Sequence, residues 1–216
     1  VAALPKGSHP LLGRRLQLPF SEERRFEAAL HATDPAMPWL AEHRVLDQVV
    51  LPAAALLELL HAAAPDKEIR DLDLLLPIRL PDQPGLHLQL ILAGDGSARI
   101  VSWNAADEAA KPVLHARARL ADPAAPPAAR PPAGDGTPVP LAAFFTELER
   151  RGIAYGPAFR GLRDLRRIGP GEVAACLALP EEAGTADGFT LHPALLDAAL
   201  QAVAAALPAD DSGATI

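Results

Sequence analysis

Three stretches of the chain alternate or run apolar over the length of a strand. Residues 86–92 (LHLQLIL), 98–103 (ARIVSW) and 113–120 (VLHARARL) are separated by Gly94-Asp95-Gly96 and by the polar segment 104–111. Short period-two or fully apolar runs between turn residues predict an antiparallel meander. Residues 68–80 predict a further strand pair, broken at Pro77 or Pro81. Residues 162–168 and 172–179 flank Gly169-Pro170-Gly171 and predict a hairpin. Two other stretches are apolar on nearly every side: 51–64 (LPAAALLELLHAAA) and 191–207 (LHPALLDAALQAVAAAL). Each has a proline near its start (Pro52, Pro193), where a first helical turn accepts one, and a proline just past its end (Pro65, Pro208). A helix apolar all round is a buried helix. Residues 141–151 predict a short amphipathic helix.

The helix-plus-strands theme occurs twice, on either side of residues 121–140 (ADPAAPPAARPPAGDGTPVP). A stretch so rich in Pro and Ala forms neither helix nor ladder and reads as an extended, semi-rigid linker. It divides the chain into 1–120, the linker 121–140, and 141–216. A buried helix wrapped by a curled antiparallel sheet, present twice, is an α+β architecture, the double hotdog.

Composition narrows the picture. Half of the 216 residues are hydrophobic, enough for a sizeable core, but aromatics are only 4%, so that core is built from Ala, Leu and Val. The net charge of -7, with Lys and Arg scattered, excludes nucleic acid as a partner, because phosphate binding needs clustered cations. The single Cys176 allows no disulfide within the chain and no Cys/His zinc spacing. It lies in an apolar run, 173–179, where a buried, inert thiol in a reducing cytoplasm is expected. No apolar stretch approaches the ~20 residues that span a bilayer, and residues 1–10 lack both a charged leader and an apolar signal core. The absence of an initiator Met reads as a piece of a longer chain, and the Ala, Pro and Arg content as a GC-rich bacterial genome.

Three places carry candidate chemistry. His43 precedes Pro52, which opens the first buried helix, by nine residues. An imidazole can take a weakly acidic proton near neutrality and return it; a histidine that merely packs or caps is the plainer alternative. Asp197 lies inside the second apolar helix, where a carboxyl must be paired, protonated or facing a cavity. Gln201 is at i+4 on the same face and can orient it; an exposed polar stripe is the alternative. Residues 152–162 (GIAYGPAFRGL) set three glycines and a proline around a single tyrosine. Such a loop can bring Tyr155 and the backbone at Gly156 against a ligand, or it can be a turn anchored by Tyr155 and Phe159.

Together these segments resemble the dehydratase domains of modular type I polyketide synthases. His43 to Pro52 is similar to the signature His-x-x-x-Gly-x-x-x-x-Pro. Residues 155–162 match Tyr-Gly-Pro-x-Phe-x-Gly-Leu, residues 192–201 match His-Pro-Ala-Leu-Leu-Asp-x-x-x-Gln, and His9-Pro10-Leu11-Leu12-Gly13 is like the start of these domains. The resemblance extends from His9 to about Leu207. It implies loss of water from a 3-hydroxyacyl chain to give a 2-enoyl chain. His43 would be the base that takes the proton alpha to the thioester, and Asp197 the acid for the leaving hydroxyl. Gln201 would orient Asp197 and Tyr155 hold the hydroxyl, in a tunnel between the halves. Amides at the start of the helix after Pro52 would meet the developing oxyanion. No metal or cofactor of the domain's own is implied. The substrate would sit on the phosphopantetheine arm of an acyl carrier protein, with neighbouring synthase domains and a homodimeric partner, and without nucleic acid or membrane.

Two departures bear on this expectation. Asp47 replaces the signature glycine, where it can block the substrate, repel an enolate and raise the His43 pKa, or point outward without effect. Domains of this kind also continue for several strands after the aspartate helix, so the second half as given is expected to leave apolar surface uncovered. An enoyl isomerase, a pyran-forming cyclase and an inactive structural domain are the alternatives on the same fold; the retained Asp197 favours dehydration.

Overall fold

The computed structural model describes residues 9–105, 109, 111–124 and 135–207. The first eight residues, the centre of the linker and everything after Leu207 lie outside the described residues.

The first half is one six-stranded antiparallel sheet and a helix. The strands are β1 (Arg14–Leu16), β2 (Arg24–Leu30), β5 (Glu68–Leu74), β6 (Leu86–Leu92), β7 (Ser97–Asn104) and β8 (Val113–Ala121), in the order β1-β2-β6-β7-β8-β5. The predicted meander is β6-β7-β8. Its alternation turns Leu88, Leu90, Ala98, Ile100, Ala116 and Ala118 inward. They pack in one cluster with Leu56, Leu59 and Leu60 of α1 (Ala53–Ala63), so the sheet curls around this helix. Pro52 caps α1 in extended conformation and is fully buried.

The strand pair expected within 68–80 is instead one strand, β5, whose partner is β8. Pro77 has no amide to donate, so the ladder cannot continue through it. Past it, residues 78–80 run beside 49–51: Leu51 donates to the Ile78 carbonyl and Leu80 to that of Val49, both at 2.9 Å. The intervening Leu74-Leu75-Leu76 ridge is tied down by a buried polar pair. The Leu75 amide donates to the His115 carbonyl at 2.8 Å, and His115 Nδ1 donates to the Leu76 carbonyl at 3.0 Å. Ser102 Oγ then donates to His115 Nε2 at 2.7 Å, and burial holds this imidazole below its usual pKa, in the neutral form that the pairing needs.

In the second half, β11 (Leu162–Gly169) and β12 (Glu172–Leu177) form the expected hairpin, and β9 (Thr137–Pro138) adds to the other side of β11. Thus both ends of the expected linker segment belong to sheets: Ala121 closes β8 and Thr137–Pro138 is a strand. The helices are α2 (Leu141–Arg150) and α3 (Pro193–Ala206). Ala202 and Ala205 of α3 pack with Leu162 and Leu165, and Phe144 and Phe145 of α2 close over them. α3 is buried on one face only; Leu200, Val203 and Leu207 are exposed. Cys176 is exposed rather than buried, because Val173 and Leu177 take the core face of β12 and the strand's alternation turns Cys176 to the opposite face. Each half thus sets a helix against an antiparallel sheet, the α+β double hotdog.

A third, small sheet joins the halves. β10 (Ile153–Tyr155) of the second half pairs with β3 (His43–Val45) of the first, and β3 pairs with β4 (Gln48–Val49). No helix among the described residues is long and apolar enough to cross a membrane.

Candidate active site

The register of the small sheet sets His43 directly opposite Tyr155. Their rings meet edge to face with centroids 5.5 Å apart, and Phe159 approaches His43 at 5.4 Å from the adjoining turn. His43 is buried, with Trp39 and Leu40 fully inside just ahead of it. Its Nδ1 faces the Val50 carbonyl at 2.8 Å. A carbonyl only accepts, so Nδ1 carries the proton and Nε2 of the neutral ring carries the free lone pair.

Asp197 projects from the buried face of α3. Gln201, one turn on, donates from Nε2 to Asp197 Oδ2 at 2.9 Å and to the Phe159 carbonyl at 3.0 Å. The amide is thereby locked between the helix and the loop that carries Tyr155. Burial raises the Asp197 pKa, against the charge of a protonated His43 and hydrogen bonds from Gln201 and Tyr155, which lower it; burial is the largest effect and the carboxyl ends above its usual range. The Tyr155 phenol is pushed up as well, first by burial and then by the neighbouring Asp197 charge, so it remains protonated.

His43, Tyr155, Asp197 and Gln201 line one cavity of about 930 Å³ between the halves. Val50, Leu51 and Ala53 bring the start of α1 to its wall; Leu74 to Leu76, Phe144 and Leu148 add apolar wall, and Glu147, Arg151 and Arg167 add charged side chains. Among the described residues, no group of three or more His, Cys, Asp or Glu is placed to hold a metal ion.

Pro52 and Gly156 act one step back from this wall. Pro52 sets the start of α1. At Gly156, a side chain would place its Cβ 2.7 Å from Glu42 Oε2 and 2.8 Å from Glu42 Cβ, so only glycine fits. The reason is a strut that belongs to no local motif: Glu42 Oε2 accepts from the Ala158 amide at 2.6 Å, and the Glu42 carbonyl accepts from the Gly156 amide at 2.8 Å. Its partners are more than 110 residues away, beyond any local pattern.

Asp47 is not brought to the site. With Leu46 it forms the two-residue turn between β3 and β4, both residues having positive φ (49° and 62°), which is the primed hairpin geometry. Its side chain is exposed and does not line the cavity. Glycine suits this position because of the turn, not because of a substrate. Asp47→Gly should therefore raise stability by about 0.5–1 kcal/mol, read as an upward shift in the midpoint of urea unfolding.

The sequence matches known families over both halves. A family model described as "Polyketide synthase dehydratase domain" matches residues 9–103, and one described as "Polyketide synthase dehydratase N-terminal domain" matches residues 123–215. The spectinabilin polyketide synthase system protein NorA' of Streptomyces orinoci is 37% identical over 92% of this chain, which spans 6% of that protein's length. Among solved structures, the dehydratase domain from the terminal module of the rifamycin polyketide synthase is 35% identical with a TM-score of 0.77, over 95% of this chain and 80% of that one. An isomerase-inactive variant of GphF DH1 is 34% identical with a TM-score of 0.76, over 93% of this chain and 72% of that one.

Proposed function

From the premise that this chain belongs to the polyketide synthase dehydratase domain family, we propose that it converts a 3-hydroxyacyl thioester to the 2-enoyl thioester with His43 as base and Asp197 as acid. The observation that carries this reading is the pairing, in one cavity, of a buried imidazole with a free Nε2 and a buried carboxyl with a raised pKa. A base with its lone pair at Nε2 and an acid that holds its proton, facing one cavity, are what an elimination needs.

The thioester acidifies the C2 proton. His43 Nε2 takes it, and the C2–H electrons become the C2=C3 double bond. The C3–O bond breaks, and the hydroxyl leaves as water with the proton of Asp197. The elimination leaves a protonated His43 and an ionised Asp197, and proton exchange with solvent restores the pair. Negative charge gathering on the thioester oxygen meets the first amides of α1, where the helix dipole favours it. Tyr155 donates to the departing hydroxyl, and Gln201 keeps the Asp197 carboxyl turned toward it. The acyl chain arrives on the phosphopantetheine arm of an acyl carrier protein. Neighbouring synthase domains and a second copy of the chain are the other partners. This reaction asks for no metal or redox cofactor, since the thioester supplies the acidity.

A second reading has a specific observation behind it, the similarity to the GphF domain. His43 moving a proton between C2 and C4 of an enoyl thioester would shift its double bond. One assay separates the two: a 3-hydroxyacyl-carrier substrate and its 2-enoyl counterpart are each incubated with the protein and followed by mass and NMR. Loss of water from the first is expected. A shifted double bond in the second with no loss of water from the first overturns the dehydratase reading, and no change in either leaves a structural domain.

A further inference from the structure

The reaction above leaves one buried charge without a task. Glu58 sits in the middle of α1, its side chain 1% exposed, in a helix that is apolar apart from it and His61. It does not line the cavity. A carboxylate taken out of water is costly unless several donors meet it, and here three do. The Thr190 amide donates to Oε1 at 2.6 Å, the Leu191 amide to Oε2 at 3.1 Å, and His9 Nε2 to Oε1 at 2.9 Å. His9 is committed to that direction, because its Nδ1 accepts from the Leu12 amide at 3.2 Å. Two of the three donors are the backbone immediately ahead of His192, the residue that caps α3.

The contact closes a frame. His43 is held through Nδ1 to Val50, two residues before the Pro52 cap of α1. Glu58 lies under two turns into α1 and grips residues 190–191. Asp197 lies just over one turn into the helix that follows them. We propose that Glu58 is a positioning residue: by holding the chain that enters α3 against α1, it fixes Asp197 relative to His43. The proposal rests on the dehydratase reading of that pair. The His192 ring feels the Glu58 charge. Burial lowers its pKa and the Glu58 charge raises it, so Glu58→Gln also withdraws that charge.

Glu58→Gln keeps the shape and turns one acceptor oxygen into a donor facing donors. Turnover in dehydration should fall about tenfold or more, since a small misplacement set from a distance costs this much, with KM changed by no more than about threefold. Ile100→Val, in the six-stranded sheet, is the stability control: it should lower Tm and leave turnover as it was. A second readout does not depend on turnover. The shift in the NMR titration midpoint of His43 caused by Asp197→Asn measures how strongly the two groups feel each other, and it should shrink by about half or more in the Glu58→Gln background. His9→Ala removes one donor from a partly exposed position and should move both readouts less, in the same direction; it carries the test if Glu58→Gln does not fold. A variant that loses Tm but keeps wild-type turnover and coupling overturns the proposal. A wild-type chain that does not dehydrate, with coupling still halved by Glu58→Gln, overturns the dehydratase reading and leaves the positioning role standing.

Discussion

Replacing His43 by glutamine should cut the rate of water loss by about 10²–10⁴-fold, the usual contribution of a positioned general base. Glutamine can still donate to the Val50 carbonyl and fill much of the ring's volume, so the cavity wall and the β3–β10 pairing are kept. What disappears is the lone pair at Nε2. A rate measured on a 3-hydroxyacyl-carrier thioester should therefore collapse while Tm moves little. Retained turnover would remove His43 from the chemistry.

Asp197→Asn should abolish activity and raise stability in the same protein. In the folded state burial holds the Asp197 proton more tightly than the unfolded chain does. For an acid whose folded pKa is raised, stability is unaffected below the unfolded value near 3.9 and is lost as pH rises from there through the folded value. Asparagine has no proton to lose. The Tm of the variant should match wild type near pH 3 and pull ahead of it from about pH 4 upward, with each kcal/mol relieved worth about 2–4 °C in a chain of this size. Gln201 Nε2 can still donate to the asparagine oxygen. A variant less stable than wild type at pH 7 would mean that hydrogen bonds, not burial, dominate at this carboxyl. Activity itself should follow a bell in pH, needing His43 neutral and Asp197 protonated together, with the alkaline limb set by the acid.

The chain discloses its elements where one neighbour decides them. The meander β6-β7-β8 shows because each strand alternates against the same helix, and α1 and α3 show because their apolar runs end at prolines. β2 shows poorly: Phe26, Ala28 and Leu30 turn inward, but Arg24 on the same face and Ala29 on the other blur the alternation in RRFEAAL, and β6 offers it seven consecutive partners. Cys176 misleads for a related reason, since an apolar run is buried throughout only if something covers both faces, and here only the face with Val173 and Leu177 meets the core. The site divides along the same line. His43, Tyr155, Asp197 and Gln201 belong to short motifs and stand out. Glu42 and Glu58, which hold those motifs together, have partners 116 and 132 residues away that no local pattern contains. Asp47 reads as a site residue from its place in the motif, and the positive φ that explains it is visible only in the backbone.

The β3–β10 pair also bears on exchanging parts between assembly lines. It joins strands from opposite halves, and a slip of one residue would turn either His43 or Tyr155 to the outer face. Hybrids that take one half from each of two parents will inherit a working cleft only if both parents share this register and the same glycine opposite Glu42. A sound junction between the halves is not sufficient. Parents should be matched first on those few positions and only then on overall identity.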